Sequence, residues 1–508
     1  MSQKSENKPN IVLIMPDQLR ADFLGCYGAS FAQTPNIDKL AQQGLQFHRA
    51  LSPSPICIPA RASLLTGHNA LSTGILTNNY WLRPDHEDCG LLSFTNALLG
   101  KGYHTEGIGK MHFIPWDSEE GFSHRWIAED KRHIHIQDDY ADYLAKQGLR
   151  KLAGTEEPGY RAGQMASVSP IPLEHQVDVW VGDRSVEFIK DFPQDRPYFL
   201  WVAFPGPHDP YNPPAEILDS MQLAEEFPFS IPATVDSQTF QKGFIQAHLT
   251  GSAQADFREF PESAKQIIRR HYAGLVQIID HQVGRILNAI EVQDSERETL
   301  IFFTSDHGDF LGDFDMVGKA LFYESSARIP LIAKGTPYQV GQSTSLVSLT
   351  DLYATILKHA GIKLTAQDSQ VIPTKPDQQT RKNLIGATGA GLMWCDESWK
   401  LSRYKNGLST LFDIEADPLE QNNLLLDPDF ADIRNQMEAE LTKSLMEGLV
   451  QGHQEKSYPY MTLTPDHAGH HRNWQRPYPA NTWEKSEEMK GKWGEGGGPG
   501  WWLGGEGA

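Results

Sequence analysis

Cys57, Pro59 and Arg61 stand in the stretch Pro55-Ile56-Cys57-Ile58-Pro59-Ala60-Arg61-Ala62-Ser63-Leu64-Leu65-Thr66-Gly67, whose residue types and spacing put a potential nucleophile beside an anion seat. A helix tolerates proline in its first turn, where Pro59 falls, and Gly67 supplies a stop about two turns later. Cys57 then lies at the N-terminus of a short helix. Unpaired backbone N–H groups and the positive end of the helix dipole converge there and favour an anion. Arg61, one turn on, reaches back toward the same spot. Read from the helix cap alone, such a cysteine is otherwise a small buried hydrophobe.

Three further segments carry polar residues just past continuous apolar runs. Asp17 and Gln18 follow residues 11–15, the loop Pro205-Gly206-Pro207-His208-Asp209-Pro210 follows residues 197–204, and Ser305-Asp306-His307-Gly308-Asp309 follows residues 299–304. Taken singly, each is more often a turn, cap or surface group. Strand C-termini share one edge of an open α/β sheet, so these residues can meet one another and the helix that begins at Cys57. Two carboxylates with an amide oxygen suit a hard divalent cation, and His307 adds a borderline ligand. Ca²⁺ is favoured, with Mn²⁺ its competitor.

Cys57-x-Pro59-x-Arg61, continued by Ala62-Ser63-Leu64-Leu65-Thr66-Gly67, resembles the signature of the type I sulfatases of the alkaline phosphatase superfamily. In these enzymes the cysteine is oxidised after translation to formylglycine, which implies a maturation enzyme as a partner. A hydrated aldehyde offers two hydroxyls on one carbon: one attacks sulfur, and loss of the other proton re-forms the carbonyl and expels sulfate. A plain thiol or hydroxyl would leave a sulfated enzyme that water must attack separately.

The resemblance runs from residue 9 to about residue 424. It implies a metal shell of Asp17, Asp306, His307 and the residue made from Cys57. Gln18 stands where most members have a second aspartate, and His307 where many have asparagine. Asp-Gln with Asp-His is similar to the choline-sulfatase and phosphonate-monoester-hydrolase branches. Gly109-Lys110-Met111-His112 resembles the Gly-Lys-x-His segment of sulfatases, whose lysine grips sulfate oxygens and whose histidine hydrogen-bonds the hydrate. Phosphonate hydrolases resemble this segment less. Lys319 matches the family lysine near the leaving-group oxygen, and His208 matches the proposed acid. Asn78 matches a polar position that implies a sulfate or hydrate contact, with a helix cap or turn as its alternative. A metal, Arg61, Lys110 and Lys319 around a singly charged ester would form a positive seat. At ~4 Å and an effective dielectric of about 20, each unit pair is worth roughly 4 kcal/mol before desolvation.

The elements that must position these groups follow from hydrophobic patterning. The buried runs at 11–15, 197–204, 299–304 and 329–333 alternate with helical stretches at 34–40, 93–99, 177–190 and 262–289, which predicts a doubly wound, mostly parallel α/β sheet. Residues 113–174 are irregular and rich in His, Trp and Gly, as an insertion walling a pocket would be, with Trp116, Trp126, His133 and His135 as candidate lining. Together with residues 211–249 this insertion is expected to set substrate specificity. Residues 1–382 are expected to form the catalytic domain. Short alternating runs from 383 predict a small antiparallel sheet and a helix to 450, and 451–508 is a Gly/Trp-rich tail that cannot form a core by itself.

The formal charge of −20, with no basic tract, excludes a nucleic-acid binder and disfavours a highly sulfated polyanion as substrate. Cys26, Cys57, Cys89 and Cys395 are few and unclustered, so neither a disulfide framework nor a zinc-thiolate site is indicated. The apolar run at 10–15 is too short for a membrane span and lacks a cleavage site. A cytoplasmic protein is expected, or a periplasmic one had a leader been removed. The reading is a sulfuric ester hydrolase acting on a small sugar, aryl or alkyl sulfate, with subunit association hinted at by the tail. Its competitors are a phosphonate or phosphate ester hydrolase on the same fold and an inactive anion-binding scaffold. If Cys57 is converted, peptide mass spectrometry of active protein finds formylglycine at position 57; thiol alone in fully active enzyme refutes the conversion.

Overall fold

The structure is a computed structural model that describes residues 8–456, except 84, 85, 88, 89, 222–226, 252 and 294–296 and the side chains of 451–456. Asn10–Ile14 (β1) is apolar on both faces because it lies in the middle of an eight-stranded sheet. Leu45–Leu51 (β2), His104–Gly109 (β3), His124–Ile127 (β4), Tyr198–Ala203 (β5), Thr299–Thr304 (β6), Leu331–Lys334 (β7) and Gly341–Ser348 (β8) complete it. The spatial order is β4-β3-β5-β1-β6-β7-β2-β8, parallel throughout except for β7, which runs antiparallel to both neighbours.

Alternate residues of β1 enter separate cores. Val12 and Ile14 pack with the Pro35–Gln42, Val177–Asp191 and Glu262–Val292 helices; Ile11 and Leu13 pack with the Cys57–Thr66, Phe94–Gly100 and Asp351–His359 helices. Helices therefore cover both faces, the expected doubly wound arrangement. The expected strands at 11–15, 197–204, 299–304 and 329–333 correspond to β1, β5, β6 and β7, and the expected helices are present. The sequence reading lacked β2, β3, β4 and β8. Those strands carry polar or glycine residues, as in His104-Thr105-Glu106-Gly107-Ile108-Gly109, which break the apolar run. The Val235–Thr250 helix also escaped it: among its residues only Ser237 is buried, so it shows no apolar stripe.

Leu384–Thr388 (β9), Gly391–Cys395 (β10), Trp399–Tyr404 (β11) and Ser409–Asp413 (β12) form a separate antiparallel sheet in the order β12-β11-β10-β9. It presses on the loops beside Cys57. The Ala387 amide donates to the Pro53 carbonyl at 2.9 Å, and Ser54 Oγ donates to the Ala387 carbonyl at 2.7 Å. The Thr388 hydroxyl donates to the Ala320 carbonyl, next to Lys319, at 3.1 Å. The Ala431–Lys456 helix follows. Most of the Trp/Gly tail, residues 457–508, lies outside the described residues.

A buried charge cluster ties this sheet to the loop after Lys319. Lys400 Nζ lies 2.7 Å from Glu324 and 2.6 Å from Glu420. Burial pushes the Glu420 carboxyl up, to about 7 from its ordinary 4.5, and Glu324 adds to this against the pull of Lys400. Between those pH values the folded chain holds a proton that the unfolded chain releases, so this group's contribution to stability declines as pH rises through the window. Glu420→Gln should therefore flatten the fall in urea-unfolding stability between pH 4.5 and 7; an unchanged slope refutes the assignment.

Candidate active site

Four neighbouring strands, in the order β3-β5-β1-β6, end at one place. β1 delivers Asp17 and Gln18, β6 delivers Asp306 and His307, β5 delivers His208 and β3 delivers Lys110 and His112. The Cys57–Thr66 helix points its N-terminus at the same edge, and all ten of its residues are buried. Gly67, at φ 72°, ends it in the left-handed conformation, and a Cβ there would meet the Tyr353 ring at 2.6 Å.

The ligating atoms of Asp17, Cys57, Asp306 and His307 lie within 4.8 Å of one another, and all four side chains are fully buried. His307 Nε2 is 3.3 Å and Asp17 Oδ1 3.7 Å from Cys57 Sγ. The second His307 nitrogen, Nδ1, lies 2.9 Å from the Gly308 carbonyl, which leaves Nε2 facing the cluster. Lys319 Nζ is 2.9 Å from Cys57 Sγ and donates to Gln18 Oε1 at 2.5 Å. The amide oxygen expected to bind the cation thus accepts from Lys319, which itself touches the Cys57 sulfur.

The charge of Arg61 is met by two carboxylates. Its guanidinium, wholly buried, donates to Asp17 Oδ2 and Asp306 Oδ2 at 3.1 Å each and to the Lys110 carbonyl. It braces the carboxylates. Lys110 Nζ bridges Asp17 at 2.8 Å and Asp130 at 2.9 Å. His208 Nδ1 lies 2.8 Å from the Asp209 carbonyl, leaving Nε2 toward Arg132 at 3.2 Å and Asp130 at 3.8 Å. The His112 amide donates to Glu129, and its ring contributes to lowering the Cys57 thiol. Asn78 Oδ1 accepts from the Ile58 amide at 3.0 Å, the helix-cap alternative among the two readings of this residue.

The electrostatics follow from this packing. Burial pushes the Cys57 thiol up, but Lys319, Lys110 and His307 hold it well below its ordinary range. Burial and Cys57 raise Asp17, yet Lys110, His208 and Lys319 win, and its carboxyl stays below the usual range. Burial and then Asp17 push Asp306 up, against His307 and Arg61. Two carboxylates facing each other in the interior, with an imidazole and a sulfur alongside, form a donor set that suits a divalent cation, and a cation between them would relieve their repulsion.

Sequence reasoning did not single out Asp130 and Arg132, which lie in the insertion and carry no spacing signal. Of the expected pocket residues, Trp116 and His133 line a small cavity of about 40 Å³ with His112 and Phe113. Trp126 instead packs on Trp180 and Arg184, and His135 is exposed.

The sequence profile of the Sulfatase family matches residues 9–362, more than half of the chain. This chain belongs to the Sulfatase family. It is 28% identical over 513 residues to the arylsulfatase of Clostridium perfringens, across 90% of this chain and 99% of that protein. It is 29% identical to the choline-sulfatase of Rhizobium meliloti, across 83% of each. The phosphonate monoester hydrolase of Agrobacterium radiobacter superposes with a TM-score of 0.72 over 87% of this chain and 96% of that one; at 21% identity the likeness speaks for the fold, alkaline-phosphatase-like with the second sheet included. The chain is a sulfatase, a hydrolase of the alkaline phosphatase superfamily. Among the described residues of this sulfatase, no helix is long and apolar enough to cross a membrane.

The cap assignment is open to test. Asn78→Ala removes the acceptor for the Ile58 amide and should cost about 1 kcal/mol in urea unfolding, most of it recovered by Asn78→Asp. Equal stability of all three proteins would remove Asn78 from the cap.

Proposed function

We propose that this sulfatase cleaves small sulfate monoesters through Cys57 after its oxidation to formylglycine, beside a divalent cation held by Asp17, Asp306, His307 and the modified residue. The observation that supports this most is the convergence on the Cys57 sulfur of Lys319 at 2.9 Å, His307 at 3.3 Å and Asp17 at 3.7 Å, at a helix N-terminus. Bound there, the cation supplies Lewis-acid polarisation of an ester oxygen and lowers the cost of deprotonating the nucleophile. The names of the arylsulfatase and choline-sulfatase relatives favour sulfur over phosphorus, as does Lys110-Met111-His112; Gln18 and His307 favour the phosphonate alternative.

The chain's own residues divide the remaining work. Lys110 and Lys319 would hold the ester's negative charge in a site with no exposed surface at Lys110, where a fixed ammonium counts for more than in water. His112 would hydrogen-bond the hydrated nucleophile, the part that the resemblance of residues 109–112 implies for it. His208, held by its Nδ1 bond to the Asp209 carbonyl, accepts from Arg132 at Nε2, so it would give a proton to the departing alkoxide only as the imidazolium, with Arg132 moved off Nε2. Arg61, touching no reacting atom in this arrangement, would keep the two carboxylates in register for the cation. Leaving-group protonation is worth about 10²- to 10⁴-fold.

Rates on matched sulfate, phosphate monoester and phosphonate monoester substrates decide the reading. Sulfate esters are expected to turn over fastest, with the activity lost to a chelator and restored by Ca²⁺ or Mn²⁺. A preference for phosphonate esters would transfer the assignment to the alternative, and binding without turnover would leave a scaffold. His208→Ala should slow alkyl sulfates far more than activated aryl sulfates; equal losses remove His208 from the acid role.

A further inference from the structure

Gln18 departs from the expected aspartate, and what surrounds it decides which end of its amide faces the reacting groups. An amide has a donor end and an acceptor end of nearly the same shape, so its direction is set by partners that can play one part alone. Lys319 Nζ, at 2.5 Å from Oε1, can only donate. On the other side Gln18 Nε2 donates to Asp309 Oδ2. Asp309 is fully buried and receives three more donors: the Leu311 amide at 3.0 Å and the Gly318 amide at 2.8 Å on Oδ1, and the Tyr211 hydroxyl at 2.5 Å on Oδ2. Four donors surround this one side chain, two on each oxygen.

The Gln18 backbone is pinned as well. Its amide donates to Asp306 Oδ1 at 2.9 Å, its carbonyl accepts from the Tyr272 hydroxyl at 2.6 Å, and its φ is 70°. The side chain therefore has little freedom except a flip of the amide. We infer that Asp309 is the positioning residue that turns the Gln18 amide oxygen toward Lys319 and the Asp17–Asp306–His307 cluster. Asp309 also holds the Gly318 amide, one residue before Lys319, so it places the donor as well as the acceptor of that bond. This assignment rests on the cation reading above.

Asp309→Asn tests it, because the two backbone amides keep the new side-chain oxygen and leave its NH₂ group against Gln18 Nε2. Donor then meets donor, and relief requires the Gln18 amide to turn its NH₂ toward Lys319 and the cation cluster. Adding Gln18→Glu restores an acceptor on both sides. On the full-length chain, Mn²⁺ titration followed by the electron paramagnetic resonance of the free ion, with kcat in parallel, gives the readout. D309N should bind Mn²⁺ about 10- to 100-fold more weakly, the range for losing a residue that orients a ligand. D309N/Q18E should recover to within about tenfold of wild type, and the cycle with Q18E alone should show strong coupling.

Wild-type affinity in D309N overturns the inference. So does a Q18E effect of the same size with and without D309N, which would make Asp309 a merely structural residue. If D309N alone fails to fold, D309N/Q18E is still expected to fold and bind Mn²⁺, and its failure likewise overturns the inference. A wild-type chain that takes up no Mn²⁺ and hydrolyses no sulfate ester sinks the functional reading, and this assignment with it; a wild-type chain that does both beside an unaffected D309N sinks this assignment alone.

Discussion

Asp17 and Asp306 face each other at the edge of the sheet with no contact with water, and the fork of Arg61 is the interaction that makes this tolerable. A buried ion group is stabilising only when its geometry and remaining hydrogen bonds are complete. The guanidinium meets both carboxylates and fills its other side with the Lys110 carbonyl. Arginine suits the position because its planar donors serve two acceptors at fixed angles, which an ammonium does not. The position of Arg61 in turn requires the Cys57–Thr66 helix to be seated deeply, and that helix is buried along its whole length. One interaction thereby joins β1, β6, the end of β3 and the helix bearing Cys57.

Around that centre, the less regular parts of the chain hold the second layer. The insertion after β3 returns Asp130 to Lys110 and Arg132 to His208, so that a segment without a readable motif surrounds the cations of the site with carboxylates. The antiparallel sheet supports it from the other side, through Ala387 and Thr388 against the loops carrying Cys57 and Lys319. Its Lys400, shared by Glu324 and Glu420, anchors the end of the Lys319 loop. The small sheet is therefore part of what keeps Lys319 in place, although it contributes no side chain to the cluster.

Legibility followed burial. β1, β5 and β6 lie in the middle of the sheet and are covered on both faces, so each is an uninterrupted apolar run, and the polar residues just past them were visible for that reason. β3 lies one strand from the edge and carries His104, Glu106 and two glycines; it was silent to hydrophobic patterning, and Lys110 and His112 entered through resemblance to sulfatases instead. Asn78 had two readings because a polar side chain between elements bears no mark of its partner; the Ile58 amide supplies one. Arg61 was expected at the ester because the sequence shows its distance from Cys57 along the helix but not the two aspartates that take up its charge first.

The residues that carry the chemistry, and the parallel core whose strand ends collect them, were determined by local sequence: periodicity decides which segments are buried, and the Cys-x-Pro-x-Arg helix start is a property of neighbours in the chain. Tertiary structure alone decided how the charges are shared. Whether Arg61 braces or binds, which carboxylate meets Lys110, and which end of Gln18 faces Lys319 depend on groups up to 300 residues apart. Electrostatic and hydrogen-bond partnership acts over a few ångströms in space and leaves no period in the chain.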